Sequence, residues 1–323
     1  MSHEGVEMIS AFLAGSGLTT GSVAERRAAM ERIAESAPPP EGVRVEALTL
    51  GGRPAERITP DGNDTDSMVL YLHGGGYCSG SLDSHRLLAS RIALAADSPV
   101  ALLAYRLAPE HLFPAAVTDA TEAYRELLAL GTDARRLAVA GDSAGGGLTV
   151  ATLLALRSAG DPLPAAVACL SPWVDLTQSA PSYEALADRD PMVSRAGLDE
   201  MARCYLGETD PRTELASPLF AADLGRLPPV MIEVGAHEVL LEDATGLADR
   251  IRAAGGSVTL TVWPELIHVF QAFTGDIIPE ADDSIAAIGS FLAGQLGAEA
   301  RPPGERRPGY DARAGAPCPS EEG

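Results

Sequence analysis

The pentapeptide Gly141-Asp142-Ser143-Ala144-Gly145 has the G-x-S-x-G form and lies between a strand-like apolar run, Leu137–Ala140, and a helical pattern that begins at Ala144. Small residues on either side of the serine let the chain turn sharply from strand to helix, so that the hydroxyl stands above the end of a sheet. That arrangement needs a parallel sheet with helices against it. One such pentapeptide is weak evidence in a glycine-rich chain, but His73-Gly74-Gly75-Gly76-Tyr77 precedes it in the order expected of a loop that offers backbone N–H groups to an oxyanion.

The rest of the chain agrees with a parallel sheet. Apolar strand candidates at Met68–Leu72, Val100–Ala104, Leu137–Ala140, Ala165–Leu170, Pro229–Val234 and Val258–Val262 alternate with helical patterns at His85–Ala96, Pro114–Leu130, Ala144–Ser158, Ala244–Ala254 and Asp282–Leu296. Two further strands, Val43–Leu50 and Arg53–Thr59, flank Gly51-Gly52 as a hairpin. Before them, helical periodicity is expected from about Glu7 to Ala37, ended by Pro38-Pro39-Pro40. Residues 175–227 need no strand and read as helical pieces inserted above the sheet. After Gly297 the chain is dense in Pro, Gly and charge, and disorder is expected over 297–323.

Charge and cysteine usage narrow the function classes. A formal charge of -21 repels phosphate backbones and anionic headgroups, which excludes nucleic-acid and membrane-surface partners from the reading. Cys78, Cys169, Cys204 and Cys318 show no metal-like spacing and are expected as free thiols. Glu4 and Glu7 stand where a signal peptide wants positive charge, and no run is long enough to span a membrane, so a cytoplasmic protein is expected. No metal or other cofactor is implied.

With Tyr105-Arg106-Leu107-Ala108-Pro109-Glu110-His111, Ser171-Pro172-Trp173 and a late His268-Val269-Phe270 added to the two glycine motifs, residues 40–296 resemble the hormone-sensitive-lipase-like branch of the α/β-hydrolases. The resemblance implies an α/β-hydrolase fold with a mostly parallel eight-stranded sheet flanked by helices. It implies one domain over 1–296, with a helical cap from about 1–40 and 180–220 on a core of about 41–179 and 221–296.

A serine hydroxyl needs a base to take its proton and a carboxylate to orient that base. The chain order in this fold is Ser, then acid, then His, so Ser143 is the expected nucleophile and His268, after the last strand, the general base. The acid is less direct, because the family's usual Asp-Pro-Leu is replaced by His237-Glu238-Val239-Leu240-Leu241-Glu242-Asp243. Glu238 takes the acid's place, with Glu242 and Asp243 as alternatives that suit the start of the next helix. His73 is expected to brace its loop. His3, His85, His111 and His237 are expected to be structural or solvated.

Backbone N–H groups of Gly75, Gly76 and Ala144 are the expected oxyanion donors. Asp142 is expected to orient rather than relay protons, and Gly145-Gly146-Gly147 to serve close helix packing. Arg106, Glu110 and Asp119 are expected as buried polar contacts near the elbow. Tyr77, Tyr183, Met192, Met201, Tyr205, Ile267, Val269 and Phe270 are the candidate pocket residues.

These residues imply hydrolysis of short- to medium-chain carboxylic esters through an acyl-enzyme, failing in acid with an apparent pKa of about 6 to 7. Alternatives on the same triad are a lactone hydrolase or an N- or O-deacetylase of a secondary metabolite. A non-catalytic small-molecule receptor on this fold would lack His268. Homodimerisation is an expectation carried by the resemblance alone.

Overall fold

A computed structural model describes residues 2–18, 21–36, 40–273 and 275–297; positions 298–323 of the expected disordered tail, Cys318 among them, and Pro38-Pro39 lie outside the described residues. The chain opens with α1 (Ser2–Ser16) and α2 (Val23–Ser36). The single helical stretch expected from Glu7 to Ala37 is therefore two helices. Gly17 and Gly21 between them adopt φ of 79° and 96°, and Ser22 starts α2 with its N–H donating to Glu25 Oε2 at 2.7 Å. Ser22-x-x-Glu25 is a capping box, readable in the sequence but masked there by continuous apolar periodicity.

Next come β1 (Val43–Leu50), β2 (Arg53–Pro60), β3 (Met68–Leu72), α3 (Leu82–Ala96), β4 (Val100–Leu103), α4 (Ala115–Ala129), β5 (Leu137–Asp142), α5 (Ala144–Ala159) and β6 (Ala166–Leu170). An insert carries α6 (Ser182–Ala185) and α7 (Arg195–Leu206), and the chain returns with β7 (Val230–Gly235), α8 (Leu241–Ala253), β8 (Val258–Trp263) and α9 (Pro279–Leu296). The eight strands form one sheet in the order β1-β2-β4-β3-β5-β6-β7-β8. Only β2 pairs antiparallel, to β1 and β4; β3 to β8 run parallel.

Burial explains why the central strands read as continuous apolar runs. Along β5, Leu137 and Val139 face α4 and α5, while Ala138 and Ala140 face α3 and α9, so both faces of each strand are covered. At the outer edge, β8 is only partly buried.

The glycines after Ser143 set how closely α5 approaches the sheet. A Cβ on Gly145 would overlap the Leu72 carbonyl oxygen, and one on Gly147 would overlap that of Trp173. Close packing, as expected, is their role. The helix N-terminus is thereby pressed against the end of β3, where His73 to Gly76 begin.

Candidate active site

Ser143 stands at the turn between β5 and α5 with φ 54° and ψ -121°, a conformation that non-glycine residues rarely adopt. Several hydrogen bonds hold it there. Its N–H donates to the Leu170 carbonyl at 2.8 Å, and its own carbonyl accepts the N–H of Trp173 at 2.9 Å.

His268 lies on the loop after β8, fixed when the Val269 N–H donates to Ser171 Oγ at 3.1 Å. Glu238 follows β7, and the two loops are joined by the His237 N–H donating to the Leu266 carbonyl at 2.8 Å. Gly235 allows that contact, since a Cβ there would overlap the Leu266 carbonyl oxygen. Ser143 Oγ is 3.0 Å from His268 Nε2, and His268 Nδ1 is 2.9 Å from Glu238 Oε2. The three side chains form one line of hydrogen bonds.

Electrostatics sharpen this line. Burial opposes protonation of His268, but the hydrogen bond and charge of Glu238, with Asp190 and Asp142 further out, hold its pKa above the ordinary imidazole value. Burial pushes the Glu238 carboxyl up, and the His268 contact opposes that rise. The other two acid candidates lie elsewhere. Glu242 accepts the Ser182 N–H at 2.7 Å, and Asp243 accepts the N–H groups of Val174 and Asp175, each at 2.9 Å, and the Tyr183 hydroxyl at 2.8 Å. Both occupy the first turn of α8.

Asp142 connects the serine turn to the glycine loop. Its Oδ1 accepts the Tyr71 hydroxyl at 2.8 Å and the Gly74 N–H at 3.1 Å, and its Oδ2 is 3.5 Å from His85 Nε2. His73 is buried, stacks on Tyr105 with centroids 4.3 Å apart, and contacts the Gly74 carbonyl through Nδ1 at 2.8 Å. Burial, then the neighbouring His85, lowers its pKa to about 3, so it stays neutral as a brace. Gly75 and Gly76 have φ of 110° and 63°. Their N–H groups donate to no described residue, and both glycines line, with Ser143 and His268, one cavity of about 620 Å³.

That cavity corrects part of the pocket expectation. Met192, Met201 and Val269 line it, whereas Tyr77, Tyr183, Tyr205, Ile267 and Phe270 do not. Tyr77 and Tyr205 stack on each other at 3.9 Å within the core. Tyr183 turns inward to Asp243, and Ile267 and Phe270 pack under Ile9 and Leu13 of α1. Instead, Met8, Phe12, Met30, Ile33, Leu198 and Phe273 supply much of the apolar wall. Glu110 also departs from expectation: it is exposed and pairs with Arg27 of α2 at 2.8 Å, while Arg106 and Asp119 do pair, at 2.7 Å. His85 is buried, His111 is exposed, and His237 Nε2 lies 2.9 Å from Arg189 Nη1.

Asp190 is a site residue that sequence reasoning missed. Its Oδ1 accepts the N–H groups of Met192 and Val193 at 3.0 and 2.8 Å, and its Oδ2 accepts that of Val239 at 2.9 Å. Asp190-Pro191 signals a turn, which explains the first two bonds but not the third.

No group of His, Cys, Asp and Glu among the described residues has the arrangement of a metal site, and no described helix is long and apolar enough to cross a membrane. A strained serine joined to histidine and a buried carboxylate, beside free backbone donors, defines the acyl-transfer class of serine hydrolase. The model of the alpha/beta hydrolase fold family matches residues 69–272. An acetyl-hydrolase of Streptomyces hygroscopicus is 45% identical over 84% of this chain and 90% of its own, and a putative acetyl-hydrolase of Mycobacterium tuberculosis is 33% identical over 85% and 88%. A solved esterase from the bacterial hormone-sensitive lipase family superposes with a TM-score of 0.86 at 45% identity, covering 91% of this chain and 98% of that one. The chain belongs to the hormone-sensitive-lipase-like α/β-hydrolases and is a carboxylesterase-type hydrolase.

Proposed function

We propose that Ser143 is the nucleophile, His268 the general base and acid, and Glu238 the orienting carboxylate in the hydrolysis of short- to medium-chain carboxylic esters. The observation that carries this reading is the unbroken Ser143–His268–Glu238 hydrogen-bond line, with its serine end in the wall of the apolar cavity. Ser143 Oγ attacks the ester carbonyl as its proton passes to His268 Nε2. The oxyanion that forms is met by the N–H groups of Gly75, Gly76 and Ala144. His268 returns the proton to the departing alcohol; it then takes a proton from the water that attacks the acyl-enzyme and passes it to Ser143 Oγ as the acid leaves.

The cap in this reading is α1 and α2 with the insert bearing α6 and α7. Support comes from cavity-lining residues on both parts and from the ion pair between Arg26 of α2 and Glu200 of α7 at 2.7 Å. A volume of about 620 Å³ suits a small ester. The test is turnover of p-nitrophenyl acetate, butyrate, octanoate and palmitate by wild type and Ser143→Ala. Turnover of the shorter esters that vanishes in the variant supports the reading; wild-type inactivity on all four opposes it.

A second reading, removal of an acetyl group from a secondary metabolite, is favoured by the 45% identity to an acetyl-hydrolase. Release of acetate from O- and N-acetylated compounds by the same two proteins tests it. A cytoplasmic location is supported by the free thiols of Cys78, Cys169 and Cys204. Homodimerisation, carried by the family resemblance, is read by sedimentation.

A further inference from the structure

The backbone just after His268 is held in a conformation that its own side chain resists. Val269 adopts φ 45° and ψ 44°, the left-handed region that a β-branched residue rarely enters. Such a residue stays there only where its surroundings hold it. On the N-terminal side the hold comes from Ser171, whose Oγ accepts the Val269 N–H at 3.1 Å and whose own N–H donates to the Glu233 carbonyl of β7 at 2.7 Å. On the C-terminal side the chain makes a short 3₁₀ turn, Phe270–Ala272, and there the hold comes from Arg91 of α3. Arg91 Nη1 donates to the carbonyls of both Gln271 and Phe273, the second at 2.8 Å, and its Nη2 donates to Asp282 Oδ1 of α9 at 2.7 Å. The Arg91 side chain is only 12% exposed.

We propose that Arg91 is a positioning residue for the reaction: it clamps the strained turn behind His268 and so keeps the imidazole between Ser143 and Glu238. A guanidinium suits this task because its planar fork of N–H donors can hold two carbonyls and a carboxylate at once. Asp282 steadies the fork in turn. It lies so close to Gly275 that a Cβ there would overlap Asp282 Oδ2. The turn is also fastened through the Gln271 side chain, whose Nε2 donates to Ser284 Oγ of α9 at 3.0 Å.

Without the clamp, Val269 relaxes toward negative φ and the peptide that joins it to His268 turns with it. The imidazole contacts Ser143 Oγ at 3.0 Å and Glu238 Oε2 at 2.9 Å, and a shift of about 1 Å is enough to break a hydrogen bond of that length. Arg91 is not part of the cavity wall, so its loss falls on kcat rather than on KM. That effect rests on the base role proposed for His268; the clamp on the turn does not.

The test compares wild type, Arg91→Met and Arg91→Lys in turnover of p-nitrophenyl acetate and in amide hydrogen exchange read by mass spectrometry. In Arg91→Met, exchange over residues 268–273 is expected to rise while β5 and α5 keep their protection, and kcat is expected to fall about 10- to 100-fold with KM nearly unchanged. Lysine keeps the charge but not the fork, so Arg91→Lys is expected to recover part of kcat. Val269→Gly removes the strain, because glycine enters positive φ freely, and in that background Arg91→Met is expected to cost several-fold less in kcat. Unchanged exchange in Arg91→Met overturns the clamp. Faster exchange with kcat unchanged, or an equal kcat loss in both backgrounds, overturns the positioning role. If Arg91→Met fails to fold, Arg91→Lys is read by the same two measurements. A wild type inactive on every ester sinks the catalytic reading, and exchange over 268–273 then decides the clamp by itself.

Discussion

The carboxylate of Asp190 accepts the N–H of Val239, the residue after Glu238, at 2.9 Å, while it also holds Met192 and Val193 of the cavity wall. One buried side chain thus ties the insert above the sheet to the loop that bears Glu238. Asp190→Asn removes a charge that favours protonated His268, alongside those of Glu238 and Asp142. The acid limb of kcat/KM is expected to move to lower pH. KM for p-nitrophenyl butyrate is expected to rise as Met192 and Val193 loosen, and an unchanged pH profile would reduce Asp190 to a packing role.

Ser143→Ala removes the proposed nucleophilic hydroxyl and keeps a Cβ at the same strained backbone position. Turnover is expected to fall by about 10⁶-fold, from comparison with other serine hydrolases. Thermal melting should stay close to wild type, because the backbone bonds to Leu170 and Trp173 do not involve the hydroxyl.

Glu238→Gln keeps the shape and loses the charge. By analogy with other triads, kcat is expected to drop roughly 10⁴-fold, since the amide favours the wrong imidazole tautomer. The residual activity should show its acid limb at lower pH than wild type, because the carboxylate that raises His268 is gone. Near-normal kcat would shift the acid's role to another residue.

Gly76→Val places a side chain where Met201 Sδ already lies, at a φ of 63° that valine strongly resists. Loss of one oxyanion donor costs about 10²–10³-fold in kcat. An active variant of normal stability would contradict the assignment of that N–H.

Asp243 gives a prediction for stability rather than turnover. Burial is the main cause that raises its pKa to about 8, well above that of an unfolded aspartate. The folded protein then binds a proton more tightly than the unfolded chain, so the stability linked to this group is fully present below pH ~4 and is lost as pH rises toward 8. Asp243→Asn cannot ionise, so denaturant midpoints measured between pH 5 and 8 should fall less with pH than in wild type. An identical pH dependence in the two proteins would show that Asp243 is already ionised across that range.

The Ser143–His268–Glu238 hydrogen-bond line was legible because each member follows a strand end whose position local pattern reveals. Ser143 follows the apolar run of β5, and Glu238 and His268 follow β7 and β8, with Gly235 marking where their loops touch. Residues that act through facing surfaces were less legible. Aromatic and methionine side chains on α7 looked equally suited to a pocket, yet Met201 faces the cavity while Tyr205 faces Tyr77 in the core. Periodicity says that a helix has an apolar face; it does not say which part of that face meets a partner.

By itself, the sequence determined the parallel sheet, the serine turn and the chain order of Ser143, Glu238 and His268, because these depend on local alternation, glycine placement and chain order. The tertiary structure decided how α1, α2 and α7 enclose the cavity, how Asp190 reaches Val239, and how Tyr77 stacks on Tyr205. Those relations join segments far apart in the chain. Their energies come from shape and burial at contacts that no local pattern encodes.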